Sequence, residues 1–157
     1  MLRRTVVSVG LGTIGLLLAA CDASGPGSPG AESAQPADPA KVEKSLQELL
    51  ASADVDQGKR LYLQCRACHS LEEGGINKVG PNLYGFFGKP AAQVMGFVYS
   101  DALKESGIVW TPETLDQWLS RPSEFLPGNR MVFVGVRRPT DRASLIAYLQ
   151  QQTVAVP

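Results

Sequence analysis

The chain has 157 residues, enough for one small domain with appendages. Its 15 basic and 15 acidic side chains cancel to a formal net charge of zero, so it lacks the basic excess that nucleic-acid binding uses. The charges are unevenly placed, because residues 22–56 hold two basic and seven acidic residues, whereas residues 57–157 hold eleven basic and eight acidic ones. An acidic segment therefore precedes a mildly basic one, which can be steered toward an acidic partner.

The first twenty residues are typical of a bacterial export signal. Arg3 and Arg4 give a positive start, and the apolar run from Val6 to Ala20 is too short and too broken by glycine to span a bilayer comfortably. The run leads to Cys21 through Leu18-Ala19-Ala20, which resembles the lipobox of bacterial lipoproteins. We therefore predict a lipoprotein signal peptide over residues 1–20 and a lipid anchor on Cys21, at the periplasmic side of a Gram-negative cell membrane. An ordinary signal peptide with a chance cysteine, or an uncleaved anchor, is the alternative.

A linker and a short helix are predicted next. Residues 21–40 are rich in Ala, Gly, Ser and Pro without apolar periodicity, which predicts a flexible linker. Residues 41–53 are predicted to form a short amphipathic helical extension. Asp38 and Pro39, just before it, are its helix-start signal. Its apolar face is formed by Val42, Leu46, Leu49 and Leu50. This face packs either on the domain that follows or on a partner, and packing within the chain is the simpler interpretation.

Residues 54–152 predict one small all-α domain with no convincing strand. Helix-start signals and apolar stripes place helices at 54–67, 100–106, 111–121 and 140–151, before a tail at 153–157. The first helix begins at a capping box of Asp54 and Gln57, and the third ends before Pro122. Between the first two helices, residues 70–99 are rich in Gly, Pro and Asn. A loop of this length is unusual unless something fills the space beneath it.

The segment Cys65-Arg66-Ala67-Cys68-His69 carries the strongest functional signal in the chain. It has the C-x-x-C-H spacing of a c-type haem attachment site. Each thiol adds to one vinyl group of the porphyrin, and a short helical turn holds the two sulfurs at the matching separation. His69 then supplies the proximal nitrogen to the iron. We therefore predict one covalent haem c, attached through Cys65 and Cys68, which also serves as the core of the small domain.

Two other uses of a C-x-x-C pair are the alternatives. A zinc site needs two further ligands, but His69 is the only histidine and Cys21 belongs to the segment predicted to be processed. A thioredoxin-like dithiol needs a preceding strand and a βαβ pattern, and neither is visible. Haem attachment is the favoured interpretation, and export agrees with it because bacteria attach c-type haem outside the cytoplasm.

The second axial ligand of the haem has few candidates. Met1 leaves with the signal, so Met95 and Met131 remain. Met131 follows the break Pro127-Gly128, on a loop far along the chain from His69, as expected for a ligand that reaches the opposite haem face. Met95 lies between glycine-rich stretches and is interpreted as a packed apolar side chain. We predict His69 and Met131 as the axial ligands of the iron.

With these residues identified, the segment from about Asp54 to Gln151 resembles class I cytochromes c of the mitochondrial type, here in a lipobox-bearing bacterial form. Motifs specific to that family run through the whole segment, at Cys65–His69, Gly80–Gly85, Gly96–Ala102, Gly107–Trp110, Pro127–Met131 and Leu145–Leu149. The resemblance implies a small all-α fold wrapped around one covalent haem. It also implies an electron carrier with no bond chemistry of its own.

The resemblance also implies roles for residues around the haem. The carbonyl oxygen of Pro81 would accept a hydrogen bond from His69 Nδ1 and fix the imidazole tautomer. The first and last helices would cross where Gly58 and Tyr62 meet Leu145 and Tyr148. The buried propionate would be held by Tyr99, Ser100 and Trp110, with Lys89 in place of the usual Arg.

Departures from the family pattern make the haem surroundings less polar. Trp118 replaces a Tyr that usually reaches the Met sulfur, Leu103 replaces an Asn that anchors a buried water, and Asn129 replaces a Thr. Because fewer polar partners disfavour the charged ferric haem, we predict a reduction potential no lower than the ordinary range of the family. Residues 121–130 also hold fewer lysines than the docking face of the family, which leaves the partner open.

The function that follows is a membrane-tethered carrier, expected to be monomeric. It takes one electron from a quinol–cytochrome c oxidoreductase and passes it to a terminal oxidase or a photosynthetic reaction centre. One alternative is a haem enzyme or gas sensor with a displaceable sixth ligand, although peroxidase chemistry needs a distal acid/base and the only histidine is already used. Another is a dedicated cytochrome subunit of one redox complex, docked through the helix at residues 41–53.

Overall fold

The computed structural model describes residues 44–153, and in that range the fold is all-α, as predicted. Its helices are α1 (Leu46–Ala51), α2 (Val55–Tyr62), α3 (Asp101–Glu105), α4 (Pro112–Ser120), α5 (Pro122–Phe125) and α6 (Pro139–Thr153). The only β pairing in this range is an isolated antiparallel bridge between Pro90 and Val109. None of the helices at 44–153 has the length and apolar character needed to cross a membrane.

The start of α1 is set by a capping box that the sequence interpretation missed. The Ser45 Oγ accepts a hydrogen bond from the Glu48 amide at 3.3 Å, and the Glu48 carboxylate accepts one from the Ser45 amide at 2.7 Å. These two bonds satisfy amides that a helix start otherwise leaves unpaired. The helix therefore begins at Leu46 and not at the predicted start, while Asp38 and Pro39 themselves lie outside the described residues.

Other helix boundaries differ from prediction in informative ways. Asp54 caps α2 by accepting the Gln57 amide at 2.9 Å, but the Gln57 side chain bonds Arg60 and completes no capping box. Helix α2 ends at Tyr62 and not near residue 67, and residues 63–68 continue as turns. The starts of α3 at Ser100 and of α4 at Thr111 are confirmed. Pro122 ends α4 but also opens a helix of its own, because proline suits the first helical turn.

Helix α6 is the centre of the packing. Five consecutive residues of α6, from Arg142 to Ile146, are buried, and Leu145 and Ile146 are fully inaccessible. Helix α2 crosses it at Gly58, where an added Cβ would lie 2.7 Å from the Cβ of Tyr148. The rings of Tyr62 and Tyr148 pack at 5.6 Å on the same crossing. Helix α1 also packs on α6, so the extension lies against the domain that follows it.

The long loop between α2 and α3 is organised by one buried amide side chain. The Nδ2 of Asn82 donates to the carbonyl oxygens of Glu72 and Gly75 at 2.9 and 2.8 Å, and its Oδ1 accepts the Tyr84 amide at 2.8 Å. The backbone N–H of Asn82 donates to Asn77 Oδ1 at 3.0 Å. These bonds satisfy backbone groups that neither helix nor sheet serves. The loop thereby forms a fixed wall of the cavity described next.

Candidate haem site

A cavity of about 870 Å³ lies between the long loop, α4, α6 and the segment that follows α5. This volume is in the range of ligand pockets, roughly 300–1,000 Å³. Every predicted haem-contacting residue within 44–153 lies on its wall: Cys65, Cys68, His69, Pro81, Lys89, Tyr99, Ser100, Trp110, Trp118, Asn129 and Met131. Cys21 lies outside the described residues. The cavity therefore brings together residues from five separate stretches of chain.

Cys65 and Cys68 lie in the turns that follow α2. The amides of Cys68 and His69 both donate to the carbonyl oxygen of Cys65 at 3.0 Å, which produces the helical turn that the motif needs. Burial, followed by the neighbouring Cys68, raises the pKa of the Cys65 thiol to about 11. A thiol with this pKa is almost fully protonated at neutral pH and is a poor redox nucleophile. The surroundings of Cys65 therefore do not activate it as a redox nucleophile.

His69 presents one ring nitrogen to the cavity. Its Nδ1 lies 2.8 Å from the carbonyl oxygen of Pro81, and a carbonyl only accepts, so Nδ1 carries the hydrogen and Nε2 keeps its lone pair. Burial lowers the pKa of His69, the bond to Pro81 opposes this, and the Lys78 cation lowers it further. The neutral imidazole is the form that binds iron. Gly80 leaves room for it, since an added Cβ there would lie 2.8 Å from Nδ1 and Nε2.

The backbone of His69 is held by two side chains that the sequence interpretation did not assign to the site. The Tyr62 hydroxyl donates to the His69 carbonyl oxygen at 3.1 Å, and the Lys78 ammonium donates to the same oxygen at 3.2 Å. Lys78 also donates to the carbonyl oxygen of Arg66 at 2.8 Å. The sequence offered one signal for Tyr62. A tyrosine at a buried helix position predicts a hydrogen-bond partner for its hydroxyl.

Met131 is held at the cavity by Asn129. The Met131 amide donates to Asn129 Oδ1 at 2.9 Å, and Asn129 Nδ2 donates to the carbonyl oxygens of Pro122 and Leu126 at 2.8 Å. The amide of Asn129 therefore serves the backbone of the loop. Met95, in contrast, is 91% exposed and lies off the cavity wall, so its interpretation as a packed apolar side chain is wrong.

Two hydroxyl groups on the cavity wall have spare donors. Tyr99 Oη accepts the Val94 amide at 3.3 Å, and Ser100 Oγ accepts the Leu103 amide at 3.3 Å. Each hydroxyl hydrogen is left to donate, which suits a carboxylate such as a haem propionate. Beside them the ring of Trp110 lies edge-on to Trp118, with centroids 5.5 Å apart. The wall is therefore mainly aromatic with a few polar donors.

Comparison with known proteins assigns this arrangement to a family. A family model described as cytochrome c matches residues 55–153. The chain belongs to the cytochrome c family. It is 44% identical to a cytochrome c of Chlamydomonas reinhardtii over 103 residues, 65% of this chain and 92% of that protein. It is 43% identical to a cytochrome c2 of Blastochloris viridis over 101 residues, which cover 64% of this chain and 80% of that protein. A cytochrome c of Trypanosoma brucei brucei is 51% identical over 78 residues, 50% of this chain and 84% of that protein.

Membership confirms the resemblance inferred from the motifs and the prediction of one covalent haem c. The donor set of the cavity fits that group: two thiols in one turn, a neutral imidazole with a free nitrogen and a thioether, between apolar walls. Proteins of the cytochrome c family are electron-transfer proteins, which supports a carrier over an enzyme at the family level.

Proposed function

We propose that this chain is a membrane-tethered single-haem electron carrier between a quinol–cytochrome c oxidoreductase and a terminal oxidase or photosynthetic reaction centre. The observation that carries the proposal is that Cys65, Cys68, His69 and Met131 share the wall of one cavity. Thiols and imidazole come from the turns after α2, whereas the thioether comes from the segment after α5. A haem bound by both His69 and Met131 would have no open iron position for substrate.

In this role each residue binds, orients or excludes water. Cys65 and Cys68 would form the thioether bonds, and His69 and Met131 would supply a nitrogen and a sulfur to the iron. The bound haem supplies an iron that alternates between ferrous and ferric states. The Pro81 carbonyl keeps the hydrogen on His69 Nδ1, which makes the imidazole a better donor to the metal. A His/Met ligand pair raises the reduction potential, as suits a carrier downstream of quinol oxidation.

The apolar surroundings support a potential that is not low. Trp118 is buried against Trp110 and Phe125, and Leu103 presents a hydrocarbon side chain to the cavity. The side-chain amide of Asn129 is bonded to backbone groups of Pro122, Leu126 and Met131. An equilibrium redox titration of the haem-loaded chain tests this. We expect a single one-electron step at a positive potential, and a strongly negative potential would refute the carrier role.

The mouth of the cavity supports a partner with an apolar patch and acidic neighbours. Charged residues on the cavity wall are all basic: Lys78, Lys89 and Arg130. Val79, Val98 and Val132 also line the cavity and are more than 70% exposed, at 81, 73 and 102%. This surface carries fewer cations than a lysine-rich docking face. We therefore predict electron-transfer rates that fall only modestly as salt rises. Rates measured with a purified quinol–cytochrome c oxidoreductase at increasing salt test this partner; no transfer at any salt would exclude it.

The tether is the second half of the proposal. The lipobox ending at Cys21 and the predicted linker over residues 21–40 support anchoring on the periplasmic side of the membrane. The Cys21→Ser variant tests this in a Gram-negative host that matures c-type cytochromes. We expect the wild type in the membrane fraction and the variant released or left unprocessed. Equal release of both proteins into the soluble fraction would exclude the lipid anchor.

A further inference from the structure

The segment that carries Met131 is held at both ends. We call residues 126–138, between α5 and α6, the Met131 loop; it contains no helix. On its amino-terminal side, Asn129 donates to the carbonyl oxygen of Pro122 in α5, and Arg130 donates to the carbonyl oxygen of Val98. On its carboxyl-terminal side, the Val136 amide donates to the carbonyl oxygen of Leu119 at 2.7 Å. Movement of Met131 away from the cavity would therefore have to disturb the hydrogen bonds at one end of the loop or at both.

The side chain of one arginine makes two further contacts to the carboxyl-terminal end of the loop. Arg142, on α6, donates through one guanidinium nitrogen to the carbonyl oxygens of Val136 and Arg137, at 3.0 and 2.8 Å. Both carbonyls belong to the Met131 loop. Hydrogen bonds from a charged donor are stronger than neutral ones, and these lie in a largely buried position. Arg142 thus fastens the end of the loop to α6.

Asp116, on α4, fixes the guanidinium in turn. Its two carboxylate oxygens accept from Nε and the second terminal nitrogen of Arg142, at 2.6 and 3.2 Å. The side chains are only 10 and 21% exposed for Arg142 and Asp116. A paired fork of this kind holds the guanidinium plane in one orientation. Neither residue lies on the cavity wall, and the bonds from Arg142 to the carbonyl oxygens of Val136 and Arg137 connect the pair to the Met131 loop.

We propose that Asp116 and Arg142 are positioning residues for Met131, and that the pair sets how readily the sulfur leaves the haem iron. The inference rests on the proposed function, in which Met131 is the axial ligand. Without the carboxylate, the guanidinium is free to rotate, and its two bonds to the loop carbonyls weaken. The packing of α4 on α6 persists through buried residues such as Leu115 and Ile146. The main consequence is therefore faster opening of the Met131 loop.

The experiment measures imidazole binding to the ferric, haem-loaded chain by stopped-flow absorbance. When an incoming ligand must wait for Met131 to leave, the observed rate reaches a limit at high imidazole, and that limit reports loop opening. We expect Asp116→Asn to raise the limiting rate by roughly 5- to 30-fold, the factor that accompanies loss of one charge-assisted contact. Arg142→Lys keeps the charge but cannot reach the carboxylate and both carbonyls at once, so it should change the rate in the same direction.

Ile146→Val is the matched control. Ile146 lies on the same helix, is fully buried and does not line the cavity. It should lower the denaturant midpoint while leaving the limiting rate within about twofold of the wild type, because it removes core packing without touching the loop.

The outcomes separate the inference from the function beneath it. If Asp116→Asn and Arg142→Lys lower stability but keep the wild-type limiting rate, the pair is merely structural and the proposal is wrong. If neither variant holds haem in a native state, the pair is needed for the whole fold, and the proposal is equally wrong. If the wild type itself binds imidazole at a rate that rises without limit, Met131 is not the ligand, and the proposed function fails first.

Discussion

At the scale of single residues, the His69 peptide is the most heavily supported point of the site. Its ring donates to Pro81, and its carbonyl oxygen accepts from Tyr62 and Lys78. The ring contact fixes which ring nitrogen keeps its lone pair, whereas the carbonyl contacts support the turn that carries the thiols. Both are needed, because a ligand displaced by a fraction of an ångström loses much of its bond. Support from the peptide side is thus part of the haem site.

Removal of the Tyr62 hydroxyl tests this support. We expect Tyr62→Phe to lower the free energy of unfolding of the haem-loaded chain by about 1 kcal/mol, since one net hydrogen bond is lost. Lys78 keeps a second donor on the same carbonyl and limits the loss. Tyr148→Phe is the matched control, because it removes the same group from the partner ring without touching His69. Denaturant unfolding followed by haem absorbance measures both, and equal losses would contradict the assignment.

The same hydroxyl predicts a pH dependence at alkaline pH. Burial raises the pKa of Tyr62 from its ordinary 10 to about 12. The unfolded chain therefore loses this proton first, and the stability supplied by the hydroxyl is complete below pH 10 and declines as the pH rises toward 12. The gap in unfolding free energy between wild type and Tyr62→Phe should narrow over that interval. A difference in unfolding free energy between wild type and Tyr62→Phe that stays constant from roughly pH 9 to pH 12 would contradict this pH dependence.

Residues of the site were predictable where chemistry demands a fixed spacing. The thiols, His69 and Met131 follow from ligand types, and the cavity contains all of them. The orienting contacts were less predictable, because they run from side chains to backbone carbonyls distant in sequence. Lys78 resembles any surface lysine in the sequence, yet its ammonium is bonded to two carbonyls. Met95 misled because exposure cannot be read from residue type alone.

At the scale of elements, the crossing of α2 and α6 explains the glycine in α2. At Gly58 the two backbones approach so closely that a Cβ would lie 2.7 Å from the carbonyl carbon of Ser144 and from the Cβ of Tyr148. Glycine in a helix interior otherwise costs about 1 kcal/mol relative to alanine. The close approach offsets this cost by allowing Tyr62 and Tyr148 to pack beside the crossing.

A substitution at this crossing has a definite sign. Gly58→Ala gains helix propensity but overpacks the contact, and we expect a net loss of roughly 1–3 kcal/mol in the free energy of unfolding. Lys59→Ala, at the next and exposed position of the same helix, should be nearly neutral. Thermal unfolding of the haem-loaded variants measures the difference. Unchanged or raised stability in Gly58→Ala would show that the helices can separate without cost.

Helix positions were predicted better than helix ends. Polar caps at Ser100 and Thr111 are local signals, and both helices begin where they indicate. The end of α2 has no such local signal. Hydrogen bonds within the turns at residues 63–68, which carry the two thiols, set it rather than helix propensity. Pro122 shows the same limit, since proline is a stop signal and a start signal at once.

At the scale of the whole molecule, the cavity lies within the hydrophobic core. Leu145, Leu149, Phe86 and Trp118 belong to the buried cluster and also line the cavity. Without a group to fill the cavity of about 870 Å³, the apolar side chains on its wall would be left in contact with water. Small domains have a total stability of only about 5–15 kcal/mol. The haem is therefore a structural component as well as the redox centre.

Loss of the haem should unfold the domain. We expect a double variant, Cys65→Ala with Cys68→Ala, to be produced without haem and to lack a cooperative thermal transition by circular dichroism. The control is His69→Ala, which keeps both thiols and should retain covalent haem and a cooperative, although less stable, fold. A sharp transition in the haem-free double variant would contradict a haem-dependent core.

The carrier account depends most directly on both axial positions being occupied by the protein. The visible spectrum of the reduced, haem-loaded chain before and after addition of carbon monoxide tests this. We predict no spectral change on mixing, because in this account both His69 and Met131 bind the iron. We predict rapid carbon monoxide binding in Met131→Ala, where the sulfur is missing. Rapid binding by the wild type would contradict the account and favour a haem enzyme or gas sensor.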